Sequence, residues 1–216
     1  MSKLQRNCAF ELILIDGLTR TGKSALSGVI PAFQGVEHIK FCTVLEHILA
    51  GMSTGHVTAE FAKAFFRTFF NELSYDTLLS RNVNFRKNDQ TGIYNYKDPA
   101  LYELRLNRSE DAQIFKDIGS ENRFLPMQTH DVLCNMKNWE MVYDRYLMIS
   151  LWRNPVELLY SWWKRNWGER FFNDDPSNFT LKVSMNGNFI PWYAHNMSSN
   201  WTDFNAVERC YILMEY

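Results

Sequence analysis

Short apolar runs alternate along the chain with longer stretches of helical periodicity. Residues 9–16 (AFELILID) form an apolar run rich in β-forming side chains, which predicts a buried strand. The stretch after residue 24 (ALSGVIPAF) predicts a short helix that ends or kinks near Pro31, because proline has no amide proton. Further strands are predicted at residues 123–126 (RFLP) and 145–152 (RYLMISLW).

The segment between the first two strands has a different character. Residues 36–80 have helical patterning, and residues 81–123 are polar and loop-rich. The helical part carries phenylalanines whose spacing predicts one core stripe, namely Phe61, Phe65, Phe66, Phe69 and Phe70. We expect one domain over residues 1–216, with a helical and loop-rich insertion at about 36–123. Strands alternating with helices predict an α/β three-layer sandwich around a mainly parallel sheet.

A helix start follows the strand at 145–152. Asn154 is the predicted N-cap, Pro155 the first helical residue, and Glu157 completes a capping box. Gly168 is the predicted end of this helix. A last helix is predicted over about residues 203–215.

Composition restricts the possible partners. The net charge of −1 gives no overall attraction to nucleic acid or to an anionic membrane, so any anion site must be local. The apolar run Leu12–Ile15 is too short for a membrane span or a signal-peptide core, and we expect a cytoplasmic protein. The cysteines are far apart and form no CxxC pair, which argues against a zinc site: Cys8, Cys42, Cys134 and Cys210.

The segment GLTRTGKS, from Gly17 to Ser24, fits the pattern GxxxxGK[ST] in full. Its glycines permit a tight turn in which successive backbone N–H groups point inward, and Lys23 adds a positive charge. Such a loop, after a strand and before a helix, suits a phosphate or a sulfate. The alternative is a glycine turn with a solvated lysine.

The same loop resembles the 5′-phosphosulfate loop of sulfotransferases, G-x-P-[RK]-S-G-T-[ST]. Positions Gly17, Arg20, Gly22 and Ser24 match it, while Thr19, Thr21 and Lys23 replace the usual Pro, Ser and Thr. The segment ISLWRNPVELLYSWW resembles the family's 3′-phosphate motif, in which Arg153 and Ser161 would contact that phosphate. The alternative for this second segment is a helix cap with a surface ion pair.

A third resemblance indicates a candidate general base. The stretch MQTHDVL is similar to the family's K-T-H-L-P, with Gln128 in place of the lysine, and the resemblance implies that His130 is the general base. The alternative for His130 is a helix-cap or core histidine. The family's basic motif near the C-terminus has no counterpart in this sequence, and we therefore expect a C-terminally truncated member.

The resemblance as a whole implies a PAPS-dependent sulfotransferase with a P-loop-NTPase-like fold. PAPS, 3′-phosphoadenosine 5′-phosphosulfate, would donate its sulfuryl group to a hydroxyl or amine of a small-molecule or carbohydrate acceptor, with no metal, nucleic acid or membrane involved. The implied catalytic residues are Arg20, Lys23 and His130. The implied contacts to PAPS are Gly17, Thr19, Arg20, Thr21, Gly22, Lys23, Ser24, Arg153 and Ser161.

Two other functions remain open. A P-loop kinase or nucleoside triphosphatase would use ATP with magnesium, and it would need a carboxylate to hold the metal. Asp16, directly before the loop, is the carboxylate at hand. A non-catalytic nucleotide-binding module is the third interpretation, supported by the replacement at Gln128.

Overall fold

A computed structural model describes residues 9–109, 113–120, 123–171, 179–185, 187–197 and 201–215. The strands are β1 (Glu11–Asp16), β2 (Lys40–Phe41), β3 (Phe124–Gln128), β4 (Tyr146–Ser150), β5 (Lys182–Met185) and β6 (Asn188–Pro191). The first four form a parallel sheet in the order β2–β3–β1–β4, and β5 pairs with β6 in an antiparallel hairpin. Because the four strands are parallel, their carboxyl ends lie along one edge of the sheet.

Helices surround this sheet. They are α1 (Lys23–Val29), α2 (Thr43–Ser53), α3 (Ala59–Leu78), α4 (Pro99–Leu106), α5 (Gln113–Ser120), α6 (Met136–Val142), α7 (Pro155–Trp163) and α8 (Ala206–Glu215). As predicted near Pro31, α1 passes into a short 3-10 helix, Ile30–Ala32. In the part of the chain that the structure describes, no helix is both long and apolar enough to cross a membrane.

The central strand β1 is apolar on both faces, because helices cover both. Leu12 and Leu14 belong to the large core that also contains buried residues of α2, α3 and α6. Ile13 and Ile15 point to the other face and pack near Leu26 of α1. This pattern is typical of a parallel sheet buried on both sides. The predicted α/β architecture, a parallel central sheet flanked by helices, is confirmed.

The segment 36–123 contributes to this core. Strand β2 pairs with β3 in the main sheet, and α2 and α3 pack against the same cluster as Leu12. Within α3, Phe66 and Phe70 are fully buried beside Trp139. The prediction of a core position is wrong for Phe61, which is 56% exposed. Phe61 precedes the buried Phe66 by five positions, which places it about 140° around the helix from that residue.

The helix start at α7 is confirmed. The Asn154 side chain accepts the N–H groups of Val156 and Glu157, and Pro155 is the first helical residue. The predicted helix end at Gly168 is wrong, because α7 already ends at Trp163. Glycine at position 168 instead permits close approach of the backbone to α8, since an added Cβ there would collide with the backbone of Ala206, the first residue of α8.

Candidate ligand site at the carboxyl ends of the strands

The loop after β1 depends on its two glycines for different reasons. Gly17 has φ +139°, and an added Cβ would collide with the carbonyl oxygen of Leu151, just beyond β4. Gly22 has open space around it but adopts φ +107°, which favours glycine. Arg20 also has a positive φ, +76°, and backbone strain of this kind in a non-glycine residue is common at functional sites.

The loop is held from within and from α7. The Thr21 side chain donates to the carbonyl oxygen of Leu18 at 2.7 Å, and the Thr21 N–H donates to the same oxygen at 3.3 Å. The indole Nε1 of Trp162, which is fully buried, donates to the carbonyl oxygen of Thr19 at 3.0 Å. The loop conformation is therefore coupled to the helix that follows Arg153.

Lys23, the first residue of α1, is buried and turned back into the loop. Its Nζ donates to the carbonyl oxygens of Gly17 and Leu18, the latter at 3.2 Å. Burial lowers the pKa of Lys23 to about 8, against the opposing attraction of nearby carboxylates, of which Asp16 has the largest effect. The ammonium therefore remains mostly protonated at neutral pH and concentrates positive charge under the loop.

Arg153 reaches the loop from the end of β4. Its Nη1 donates to the carbonyl oxygen of Arg20 at 3.2 Å, and its Nε lies 3.4 Å from Oε2 of Glu157. The Arg153 side chain is 40% exposed, so its guanidinium is accessible to a ligand. The two segments predicted to bind separate anionic groups are therefore in direct contact.

A cavity of about 350 Å³ adjoins both segments at the carboxyl ends of β1, β3 and β4. Its wall includes Gly17 of the loop, His130 after β3 and Arg153 after β4. The remaining wall combines apolar and aromatic side chains with three carboxylates. The apolar and aromatic residues include Leu18, Leu133, Leu158, Trp152, Trp192, Tyr193, Leu213 and Met214, and the carboxylates are Asp16, Asp131 and Glu215. The structure thus brings residues of all three sequence motifs to one cavity.

Of the predicted contacts to PAPS, Gly17 and Arg153 line this cavity, and the others do not: Thr19, Arg20, Thr21, Gly22, Lys23, Ser24 and Ser161. Ser161 of α7 is not among the residues that line it, and its Oγ accepts a hydrogen bond from Nη1 of Arg165 at 2.9 Å. Ser24 lines a different cavity of about 440 Å³ that also borders Lys87 and Asn88. Roles for Ser161 and Ser24 in ligand binding remain predictions.

His130 lies beside two carboxylates. Its backbone N–H donates to Oε1 of Glu46, and its Nδ1 lies 3.5 Å from the same oxygen. The Asp131 carboxylate accepts a hydrogen bond from Nε1 of Trp192 at 3.3 Å. Burial and then the neighbouring Glu46 carboxylate raise the pKa of Asp131 to about 7. Acids and bases with displaced pKa values at a cavity are typical of functional sites.

Asp16, at the end of β1, is fully buried, and both of its carboxylate oxygens accept hydrogen bonds from other residues of the chain. Its Oδ2 accepts from the Thr129 hydroxyl at 2.5 Å and from the Val132 N–H at 3.1 Å, and its Oδ1 accepts from the Leu133 N–H at 3.3 Å. Both oxygens therefore fix the turn that carries His130. Over the described ranges, no group of three or more His, Cys, Asp or Glu side chains could hold a metal ion.

Comparisons with protein-family models, with curated proteins and with solved structures find no match for this chain. The sulfotransferase resemblance therefore rests on the three motifs and on their positions in the fold. A resemblance of this kind is a hypothesis.

Three residues were missed from the sequence: Asp131 and Trp192, which line the cavity, and Glu46, which accepts the backbone N–H groups of His130 and Asp131. A signal for Glu46 existed, because it lies in the first turn of a helix that directly follows a strand end, and the glycine loop 17–24 also follows a strand end. Strand β2 is only two residues long, so no apolar run revealed that strand end. Trp192 follows the hairpin β5–β6, which carries no recognisable motif.

Proposed function

We propose that this protein is a PAPS-dependent sulfotransferase with a P-loop-like sulfotransferase fold. The observation that carries the proposal is the contact of Arg153 with the loop carbonyl of Arg20, beside a cavity that Gly17 and His130 also line. PAPS has phosphate groups at both its 5′ and 3′ ends, so it requires two neighbouring anion sites. The glycine loop and Arg153 provide such a pair of sites.

Three basic side chains could meet the negative charge of such a donor. Lys23 and Arg20 belong to the loop, and Arg153 adds a guanidinium whose fork of N–H donors suits a phosphate. Lys23 would have to exchange its bonds to Gly17 and Leu18 for oxygens of the ligand. Thr19, Thr21 and Gly22 would contribute through the loop backbone.

In the proposed reaction, an acceptor hydroxyl or amine forms a bond to sulfur as the bond from sulfur to the bridging 5′-phosphate oxygen breaks. His130 takes the acceptor proton. Lys23, Arg20 and the loop N–H groups stabilise the negative charge that the departing phosphate gains. The acceptor would be a small molecule or a carbohydrate, and the protein would act in the cytoplasm.

A P-loop kinase or nucleoside triphosphatase is the second candidate. It is favoured by the full GxxxxGKS match and by the carboxylates near Lys23, namely Asp16, Glu46 and Asp131. Asp16 fits a magnesium ligand poorly, because both of its oxygens already accept bonds from residues 129–133. Nucleotide preference separates this candidate from the first.

Calorimetric titration with nucleotides tests the proposal. We expect adenosine 3′,5′-bisphosphate to bind about 10–100-fold more tightly than adenosine 5′-monophosphate, because a charge-assisted bond contributes about 1.5–3 kcal/mol. Arg153→Gln should abolish this difference and leave the affinity for the monophosphate unchanged. The matched control Arg86→Gln removes an exposed arginine that does not line the cavity.

Other outcomes identify the alternatives. Tighter binding of ATP with magnesium than of the bisphosphate, unaffected by Arg153→Gln, would show a P-loop kinase or triphosphatase. Selective binding of the bisphosphate without turnover of any acceptor would favour the non-catalytic module. Where turnover is found, His130→Ala should lower it by about 10²–10⁴-fold.

A further inference from the structure

We infer that Glu46 is a positioning residue for His130, which it holds in the ring tautomer that carries its proton on Nδ1 and leaves Nε2 free to accept one. The catalytic meaning of this inference rests on the proposed role of His130 as general base. The tautomer itself is a property of the free protein, so it can be measured whether or not that role is correct.

One carboxylate oxygen of Glu46 makes all the contacts. Its Oε1 accepts the backbone N–H of His130 and, at 3.3 Å, the backbone N–H of Asp131. The same oxygen lies 3.5 Å from Nδ1 of the His130 ring. This last distance is long for a hydrogen bond, but catalytic contacts are often long without substrate and shorten when it binds.

Helix α2, which packs in the main core, holds this carboxylate in position. Glu46 lies in the first turn of the helix, where a negative charge is favourable, and its neighbours Leu45 and Leu49 are fully buried in the main core. On the other side, Asp16 accepts bonds from Thr129 and from the N–H groups that follow Asp131. The turn that carries His130 is therefore fixed by two carboxylates from two different elements.

The tautomer follows from the chemistry of the pair. An ionised carboxylate is only an acceptor, so the imidazole nitrogen that faces it is favoured to carry the proton. The other nitrogen, Nε2, then has a lone pair, which a general base requires. Lys23 and Asp131 are the other charged groups near Glu46, and Asp131 competes with it for the positive charge of a protonated His130.

The decisive measurement is ¹⁵N NMR of the His130 ring at a pH where the imidazole is neutral. We expect the Nδ1-protonated tautomer to predominate in the wild-type protein and its fraction to fall in Glu46→Gln. Glutamine retains a carbonyl oxygen for the two backbone N–H groups, so this variant removes the charge and keeps the turn. Glu60→Gln, at an exposed position in the first turn of α3, is the matched control and should leave the ring signals unchanged.

A merely structural role predicts a different pattern. In that case Glu46→Ala would destabilise the protein, while folded Glu46→Gln would keep the wild-type tautomer, and this result would overturn the inference. Glu46→Asp, which keeps the charge, should restore part of the Nδ1-protonated fraction. If acceptor turnover is found, Glu46→Gln should lower it about tenfold or more without a matching change in affinity for adenosine 3′,5′-bisphosphate. Failure of that nucleotide to bind would refute the proposed function and leave the tautomer result standing.

Discussion

Two regions of this protein contain buried carboxylates, and their surroundings shift the carboxylate pKa in opposite directions. Glu37 accepts a bidentate pair of hydrogen bonds from Arg105, at 2.9 and 3.0 Å, and a third hydrogen bond from Arg123 at 2.8 Å. Burial alone would raise the pKa of Glu37, but these arginines and Tyr102 hold it below its ordinary value. Both guanidinium groups that contact Glu37 therefore have a partner of opposite sign.

The cavity region leaves its charges poorly matched. Asp131 faces another carboxylate, Glu46, and its pKa rises to about 7, while burial lowers the pKa of Lys23 to about 8. Both groups can therefore change their protonation state with little cost near neutral pH. The comparison separates charge that stabilises the fold from charge that is available to a ligand or a reaction.

Glu37→Gln should have the largest effect on stability. It removes the carboxylate that pairs with the buried guanidinium of Arg105, and breaking a buried ion pair in this way typically costs about 3–5 kcal/mol. Equilibrium unfolding in urea would measure the loss of unfolding free energy. Glu103→Gln, an exposed position on the same helix as Arg105, should change it by less than about 0.5 kcal/mol. A loss below about 1 kcal/mol in Glu37→Gln would contradict the contrast drawn between the two regions.

Asp131→Asn should have a smaller effect, and one of the opposite sign. Because the pKa of Asp131 is raised from 3.8 to about 7, the native state binds more protons than the unfolded state in that range. The contribution of Asp131 to stability is therefore lost as pH rises from about 4 to about 7. Removing the carboxylate should abolish this fall, by about 1–2 kcal/mol, since the proton is shared with neighbouring groups.

Urea unfolding at several pH values between 4 and 8 would measure the difference. The control Asp144→Asn removes an exposed carboxylate and should leave the pH dependence as it is in the wild type. An Asp131→Asn variant that loses stability with pH as steeply as the wild type would show that Asp131 titrates normally.

The sequence predicted the elements that carry the motifs, because their signals are local. Strands β1 and β4 are apolar runs, and the cap at Asn154 depends on residues adjacent in the chain. The nearness of Arg153 to the loop agrees with a general rule, that parallel strands end at one edge of a sheet.

The matching of buried charges could not be predicted in the same way. Glu46 and His130 are 84 positions apart, and Glu37 and Arg105 are 68 apart, so each pairing exists only after the chain has folded. In sequence, Glu37 and Glu46 are both acidic residues near a short strand. Only their partners distinguish the stabilising carboxylate from the one beside the cavity.

Trp162→Phe should have the smallest effect, and it tests whether α7 supports the loop. The change removes the indole donor to the carbonyl oxygen of Thr19 and leaves the aromatic packing largely in place. Loss of one neutral hydrogen bond typically costs about 0.5–1.5 kcal/mol, and we expect a loss of about 1 kcal/mol in unfolding free energy. Affinity for adenosine 3′,5′-bisphosphate should fall about two- to tenfold, because the loop would have to be ordered on binding.

The adjacent Trp163 is the matched control, because its side chain is 58% exposed and Trp163→Phe removes the same donor group from the surface. It should change neither stability nor affinity for the bisphosphate. If Trp162→Phe weakens stability but not affinity, the indole is a core side chain whose bond to the loop has no part in binding. If it weakens affinity more than Trp163→Phe does, the loop and the helix that begins after Arg153 bind the nucleotide as one unit, as two adjoining anion sites require.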